Sequence, residues 1–266
     1  MTSMGVYNIQ AASIEIGEGV TFGKDVRVSI KGNFSIGDYS HLGSCEIYGN
    51  NVSFGKHLYC SGGLRVGGGG RNHPNANLTI GDRCTIHNNF LNVCEPIVIG
   101  NDVGLSPEVS ILTHGYWLSV LEGYPAKFAG VKIGNGVIVG YRSLIMMGVE
   151  ICDETVIGAQ SVVSKTILNK GVYAGNPAKF IREIKPLTQE EKIQKIVHIL
   201  DEWCSVAEYH NITPFITFDY PWIQVYEFRV NVETFEYEGE ETEVTDDFRD
   251  YIRKWGIRIY TKRPFK

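Results

Sequence analysis

The chain has 266 residues, a net charge of −5 with histidine neutral, and 43% hydrophobic residues. That length suits one large domain or one and a half. The acidic balance argues against a nucleic-acid binder, and no apolar run approaches the roughly 20 residues of a membrane helix. Residues Met1–Gln10 lack the basic start and apolar stretch of a signal peptide. Cys45, Cys60, Cys84, Cys94, Cys152 and Cys204 form no CxxC pair and no short zinc-ligand spacing. They read as reduced thiols in a cytoplasmic protein.

In chain order, a six-residue period starts at Ile16, Phe22 and Val28 and resumes at Ile36, Leu42, Tyr48, Phe54, Cys60 and Val66. Tyr48 and Cys60 are poor inward wedges, so these coils are expected to be less regular. Residues 67–77, GGGGRNHPNAN, break the count and read as a loop. The period returns at Ile80 and Ile86, shifts by one residue to Val93, and continues through Ile99, Leu105 and Ile111. A second interruption covers residues 113–131, which carry His114, Tyr116, Trp117, Tyr124 and Phe128.

From Ile133 through Val139, Ile145, Ile151 and Ile157 to Val163 the period is unbroken. Neither a helix at period 3.6 nor a strand at period 2 produces a strict six. A prism does: each hexad forms one flat face with its aliphatic side chain inward, and three hexads complete a turn. Glycine sits where the backbone bends between faces. The expected fold is a left-handed parallel β-helix, against the usual right-handed crossover.

Beyond Pro186 the pattern changes, giving a division into residues 1–185 and a small α+β appendage, 186–266. Thr188 and Glu191 read as a capping box. Ile193, Ile196, Val197, Leu200, Trp203 and Cys204 supply one helical face. Residues 212–237 read as two or three strands, 245–254 as a short helix and 256–261 as a final strand. Between Glu233 and Asp250 acids predominate, with Arg249 the one base, whereas the tail from Arg253 is basic. Two solvated faces that attract each other explain this; a basic patch for an anionic acceptor is the alternative.

His114 opens the second loop, where a neutral imidazole can take a proton from an attacking hydroxyl or amine. Imidazole suits the role because its unperturbed pKa is about 6.5. On sequence position alone, a lone loop histidine reads rather as an exposed bystander. Glu95, Asp102 and Glu108 are carboxylates near enough in sequence to orient it.

The stretch SILTHGYWLSVLEGYPAKFAGVKIGNGVIVG, followed by GVEICDETVIGAQSVVSKTILNKGVYAGNPAKFIREI, resembles the hexapeptide-repeat acyltransferases. It is most similar to the maltose and galactoside acetyltransferases and the capsular-polysaccharide O-acetyltransferases. The family shows a histidine at such a loop, then I-G-x-x-x-x-I-G, then V-I-G-A-x-S-V-V and an A-G-x-P-A-K-x-I-R tail, in this order. The specific match covers about residues 99–185. It implies acyl transfer from acetyl-coenzyme A, with His114 as general base and the donor lying between neighbouring prisms of a homotrimer. Donor contacts would come from Gly140, Tyr141, Gly158, Ala159, Ser164, Lys165 and Arg182. Acceptor contacts would come from Asn88, with Tyr116 and Trp117 on the loop.

Two departures stand out. Ile138 replaces a tryptophan common in the family, and the N-terminal helical segment that serves small sugars is missing. The acceptor is therefore expected to be a sugar of a surface polysaccharide or its precursor rather than a free galactoside. N-acetylation of an amino-sugar nucleotide is the alternative enzyme reading. A zinc β-helix like the γ-carbonic anhydrases needs three converging histidines; no closely spaced pair accompanies His114, so no metal is expected. A non-catalytic scaffold would have no use for the His114 loop and the AGNPAKFIREI tail.

Overall fold

The computed structural model describes residues 7–265. The chain divides into two compact units, Met1–Ile184 and Lys185–Lys266. The first is a left-handed parallel β-helix of short strands on three faces. Face one stacks Val28 on Ile47, Val66, Leu91, Ile111, Ile145 and Val163. Face two stacks Ile36 on Phe54, Ile80, Ile99, Ile133 and Ile151. Face three carries Leu42, Cys60, Ile86, Val139 and Ile157 inward.

Two expected wedges are corrected. The strand Cys45–Gly49 turns Cys45, Ile47 and Gly49 inward by simple alternation. Tyr48 therefore points outward, and the Arg71 guanidinium lies 4.3 Å from its ring centroid. In the strand Phe90–Asn92, Leu91 takes the wedge and Val93 is buried one step beyond the strand end. Cys60, expected to fit poorly, is fully buried.

The glycines after the wedges serve a different purpose from the one expected. The left-handed turn positions are held mostly by other residues, such as Tyr39, His57, Arg83, Asp102 and Glu154. Gly134 is needed for coil spacing instead: a Cβ there would lie 2.7 Å from the Asp153 backbone nitrogen. Beside this column runs a ladder in which Asp82, Asn101 and Asn135 accept from backbone N–H groups of Lys56, Asp82 and Asn101. An orphan donor at each corner is thereby satisfied.

The second interruption is a small ribbon rather than an irregular loop. His114–Gly115 pairs antiparallel with Lys127–Phe128, and a 3-10 turn spans Val120–Glu122.

In the second unit, helix α1 (Gln189–Tyr209) begins with the Thr188–Glu191 capping box. Its buried face is Ile196, Ile199, Leu200, Trp203 and Ala207. Val197, assigned inward from the sequence, is exposed. A four-stranded antiparallel sheet, Ile216–Asp219, Trp222–Val225, Phe228–Asn231 and Tyr237–Glu238, is followed by helix α2 (Glu243–Arg253). The strand expected at 256–261 does not form. Arg249, fully buried, holds that segment through the Ile259 and Arg263 carbonyls instead. Arg249 also pairs with Glu241 and Asp246, and Arg263 pairs with Asp246. Acidic run and basic tail thus neutralise each other, and the basic-patch alternative loses Arg263.

Candidate active site

Thr113 fixes where the ribbon leaves the prism. It is fully buried. Its Oγ1 donates to the Asn92 carbonyl at 2.7 Å and accepts from the Cys94 and Glu95 backbone N–H groups at 2.9 and 3.1 Å. His114 follows, with its ring stacked on Phe128 (centroids 5.9 Å, 8° between planes) and 5.6 Å from Tyr116. These aromatic contacts hold the imidazole plane.

The glycine loop 67–77 closes over the same spot. A Cβ at Gly69 would lie 3.2 Å from His114 Nε2, and one at Gly68 would lie 2.3 Å from Asn92 Nδ2. Only a chain without side chains approaches the two residues this closely. The two segments that interrupt the hexads therefore meet at His114, a convergence that the sequence did not indicate.

Asn92 was not singled out from the sequence. It is 5% exposed, and its Nδ2 donates to the Gly67 carbonyl at 3.2 Å. Asn92 Oδ1 and His114 Nδ1 are buried polar atoms with no hydrogen-bond partner among the described residues. Such atoms are rare in folded proteins, and each calls for a reason.

None of the three carboxylates orients His114; each is engaged elsewhere. Glu95 accepts from Asn75, and Asp102 takes both branches of the Arg83 fork at 2.7 Å. Glu108 binds Arg142 and the Tyr141 hydroxyl. The Arg142 hydrogen bond, then that of Tyr141, lowers the Glu108 carboxyl below its usual range.

Asn88 lies away from His114. It lines a cavity of about 410 Å³ with Arg65, Phe90 and Glu108, and its Oδ1 accepts from the Glu108 N–H at 3.3 Å. Asn88 precedes the face-one strand Phe90–Asn92, whereas His114 follows the strand paired with it, Ser110–Leu112. The two thus stand at opposite corners of one face. Tyr116 packs on Phe128, and Trp117 is 90% exposed.

Gly140, Tyr141, Gly158 and Ala159 form one corner column, the Gly140 N–H bonded to the Ile157 carbonyl and the Gly158 N–H to that of Tyr173. A Cβ at Gly140 would lie 2.5 Å from the Ala159 nitrogen. Ser164 and Lys165 are exposed just past Val162–Val163, at the other end of face one. Arg182 lies on face three, paired with Val172 across an antiparallel strand. Seven donor candidates thus occupy three places rather than one cluster. Among the described residues, no group of three or more His, Cys, Asp or Glu is placed to hold a metal. No helix there is long and apolar enough to cross a membrane.

No family model matches the chain. The galactoside O-acetyltransferase of Escherichia coli is 32% identical over 139 residues, 52% of this chain and 56% of that protein. A putative acetyltransferase of Saccharomyces cerevisiae is 35% identical over 146 residues, 54% of this chain and 67% of that protein. A solved maltose O-acetyltransferase from Clostridium difficile 630 aligns with 67% of this chain and 70% of its own at 24% identity, with a TM-score of 0.34. The chain spans little more than half the length of the Escherichia coli relative. It belongs to the hexapeptide-repeat acyltransferases.

Proposed function

We propose that the protein is an acetyl-coenzyme A-dependent acetyltransferase that O-acetylates a sugar of a surface polysaccharide or its precursor, with His114 as general base. The observation that carries this reading is the imidazole itself. It is held between two loops on stacked rings, with one nitrogen buried and unpartnered.

In the step proposed, the acceptor hydroxyl oxygen attacks the thioester carbonyl carbon as the imidazole takes its proton. The C–S bond then breaks, and the proton passes to the departing thiolate. Asn92 would act on the loop rather than on the reacting atoms, since its Nδ2 holds the Gly67 carbonyl of the segment that covers the ring.

The donor would run past the Gly140–Ala159 corner column, where side chains are small, with its phosphates toward Lys165 or Arg182. A point charge and a planar fork both suit phosphate. Because Asn88 and His114 occupy opposite corners of one face, a site that uses both requires a second copy of the chain. Together with Trp117 and Leu121, 90% and 94% exposed on the ribbon, this supports a homotrimer. Six free thiols fit a reducing, cytoplasmic setting.

The test is thiol release from acetyl-coenzyme A across a panel of nucleotide sugars and glycan fragments. An alkali-labile ester product is expected. An alkali-stable amide would favour N-acetylation of an amino sugar, and no release above hydrolysis with any acceptor would remove the reading.

A further inference from the structure

The second unit contains a concave site lined by none of the residues proposed for acetyl transfer. A cavity of about 520 Å³ opens beside α1, within the range of small-molecule sites, roughly 300–1,000 Å³. Its walls are apolar: Ile196 and Ile199 from α1, and Trp255 and Ile257 from the segment after α2. Trp255 is 39% exposed there, a large ring left half in solvent.

Polar groups also line the cavity. Glu233 accepts from Lys192 Nζ at 2.7 Å and from the Tyr220 hydroxyl on the same carboxylate oxygen. These bonds hold the Glu233 carboxyl below its usual range, the Lys192 contact contributing most. Lys195, one turn further along α1, also lines the cavity and has no acidic partner among the described residues. Two ammonium groups facing one carboxylate leave a single uncompensated positive charge beside an apolar hollow.

We propose that this cavity binds an amphipathic monoanion, an apolar body with one carboxylate or sulfate head, the body against Trp255 and Ile257 and the head on Lys195. Charge complementarity selects this occupant over a neutral apolar molecule, which would leave the ammonium unused. A dianion would exceed the one free charge. Lys192 and Tyr220, already tied to Glu233, fix the carboxylate so that it does not neutralise Lys195.

Calorimetric titration of the full chain with octanoate, octyl sulfate, octanol and octyltrimethylammonium tests this directly. The two anions are expected to bind one per chain and at least roughly tenfold more tightly than octanol, as a charge-assisted contact implies; comparing them shows which head is preferred. Lys195 is exposed, so Lys195→Ala and Lys195→Glu should fold normally. Each should remove the anion preference and leave octanol binding as it was. Equal binding of all four probes, no binding of either anion, or an anion affinity unchanged in both variants would overturn the proposal.

Discussion

In the prism most inward side chains stand on a similar one a coil away, Val28 on Ile47 on Val66, and no single residue dominates the core. In the unit 185–266 one indole does. Trp203 is fully buried, meets Phe248 edge-on at 5.0 Å and donates its N–H to Asp247 at 2.9 Å. Stability in the repeat is a sum of near-identical neighbour terms, whereas in the second unit it is concentrated. The repeat is uniform except where two insertions leave it, and His114 lies where they meet.

The largest expected effect is Trp203→Ala, a loss of about 3–5 kcal/mol. Calorimetry should show a transition of the second unit moving to lower temperature while that of the prism stays. One transition shifting as a whole would break the contrast. A glycine pair sharpens it within the prism. Gly134→Ala pushes a methyl into the next coil and should cost about 1–3 kcal/mol. Gly104→Ala, where an added Cβ meets nothing within 4 Å, should be neutral or stabilising by about 0.4–1 kcal/mol. Equal losses at both sites in denaturant melts would show that glycine serves the turn and not the spacing.

Smallest in energy is the thiol pattern. Burial pushes the Cys45 and Cys84 thiols up to about 12 and Cys60 to about 11. A thiol-labelling reagent at pH 8 should therefore reach half-buried Cys152 and Cys204 and spare those three until the protein unfolds. Rapid labelling of Cys60 in the native protein would contradict a closed prism core.

The six-residue period exposed the β-helix because burial of one aliphatic side chain per face is a hydropathy signal. It misplaced Tyr48 and Val93 because a count of six cannot see where a strand's alternation starts after a corner. The capping box at Thr188 was legible as local chemistry. The missing strand at 256–261 was not, since its fate depends on Arg249, a charged residue that no apolar pattern places in a core. Near the candidate site, His114 was singled out by the family resemblance and not by its position, which alone favours a bystander. Asn92 was not, because a buried amide looks like any polar strand residue until the glycine loop is seen to cover it. The carboxylates near His114 in sequence, which the sequence could not choose among and which read first as solvated charges, are engaged by Arg83, Arg142 and Asn75.

The proposed function turns on proton transfer from the acceptor to the ring held where the two insertions meet. It is tested most directly by the kcat for acetyl transfer of His114→Ala, with circular dichroism and acetyl-coenzyme A binding measured on the same preparation. Fold and donor binding should be unchanged, with kcat reduced about 10²–10⁴-fold, the usual contribution of a general base. A variant within tenfold of wild type on a hydroxyl acceptor, equally folded and equally able to bind the donor, would contradict it.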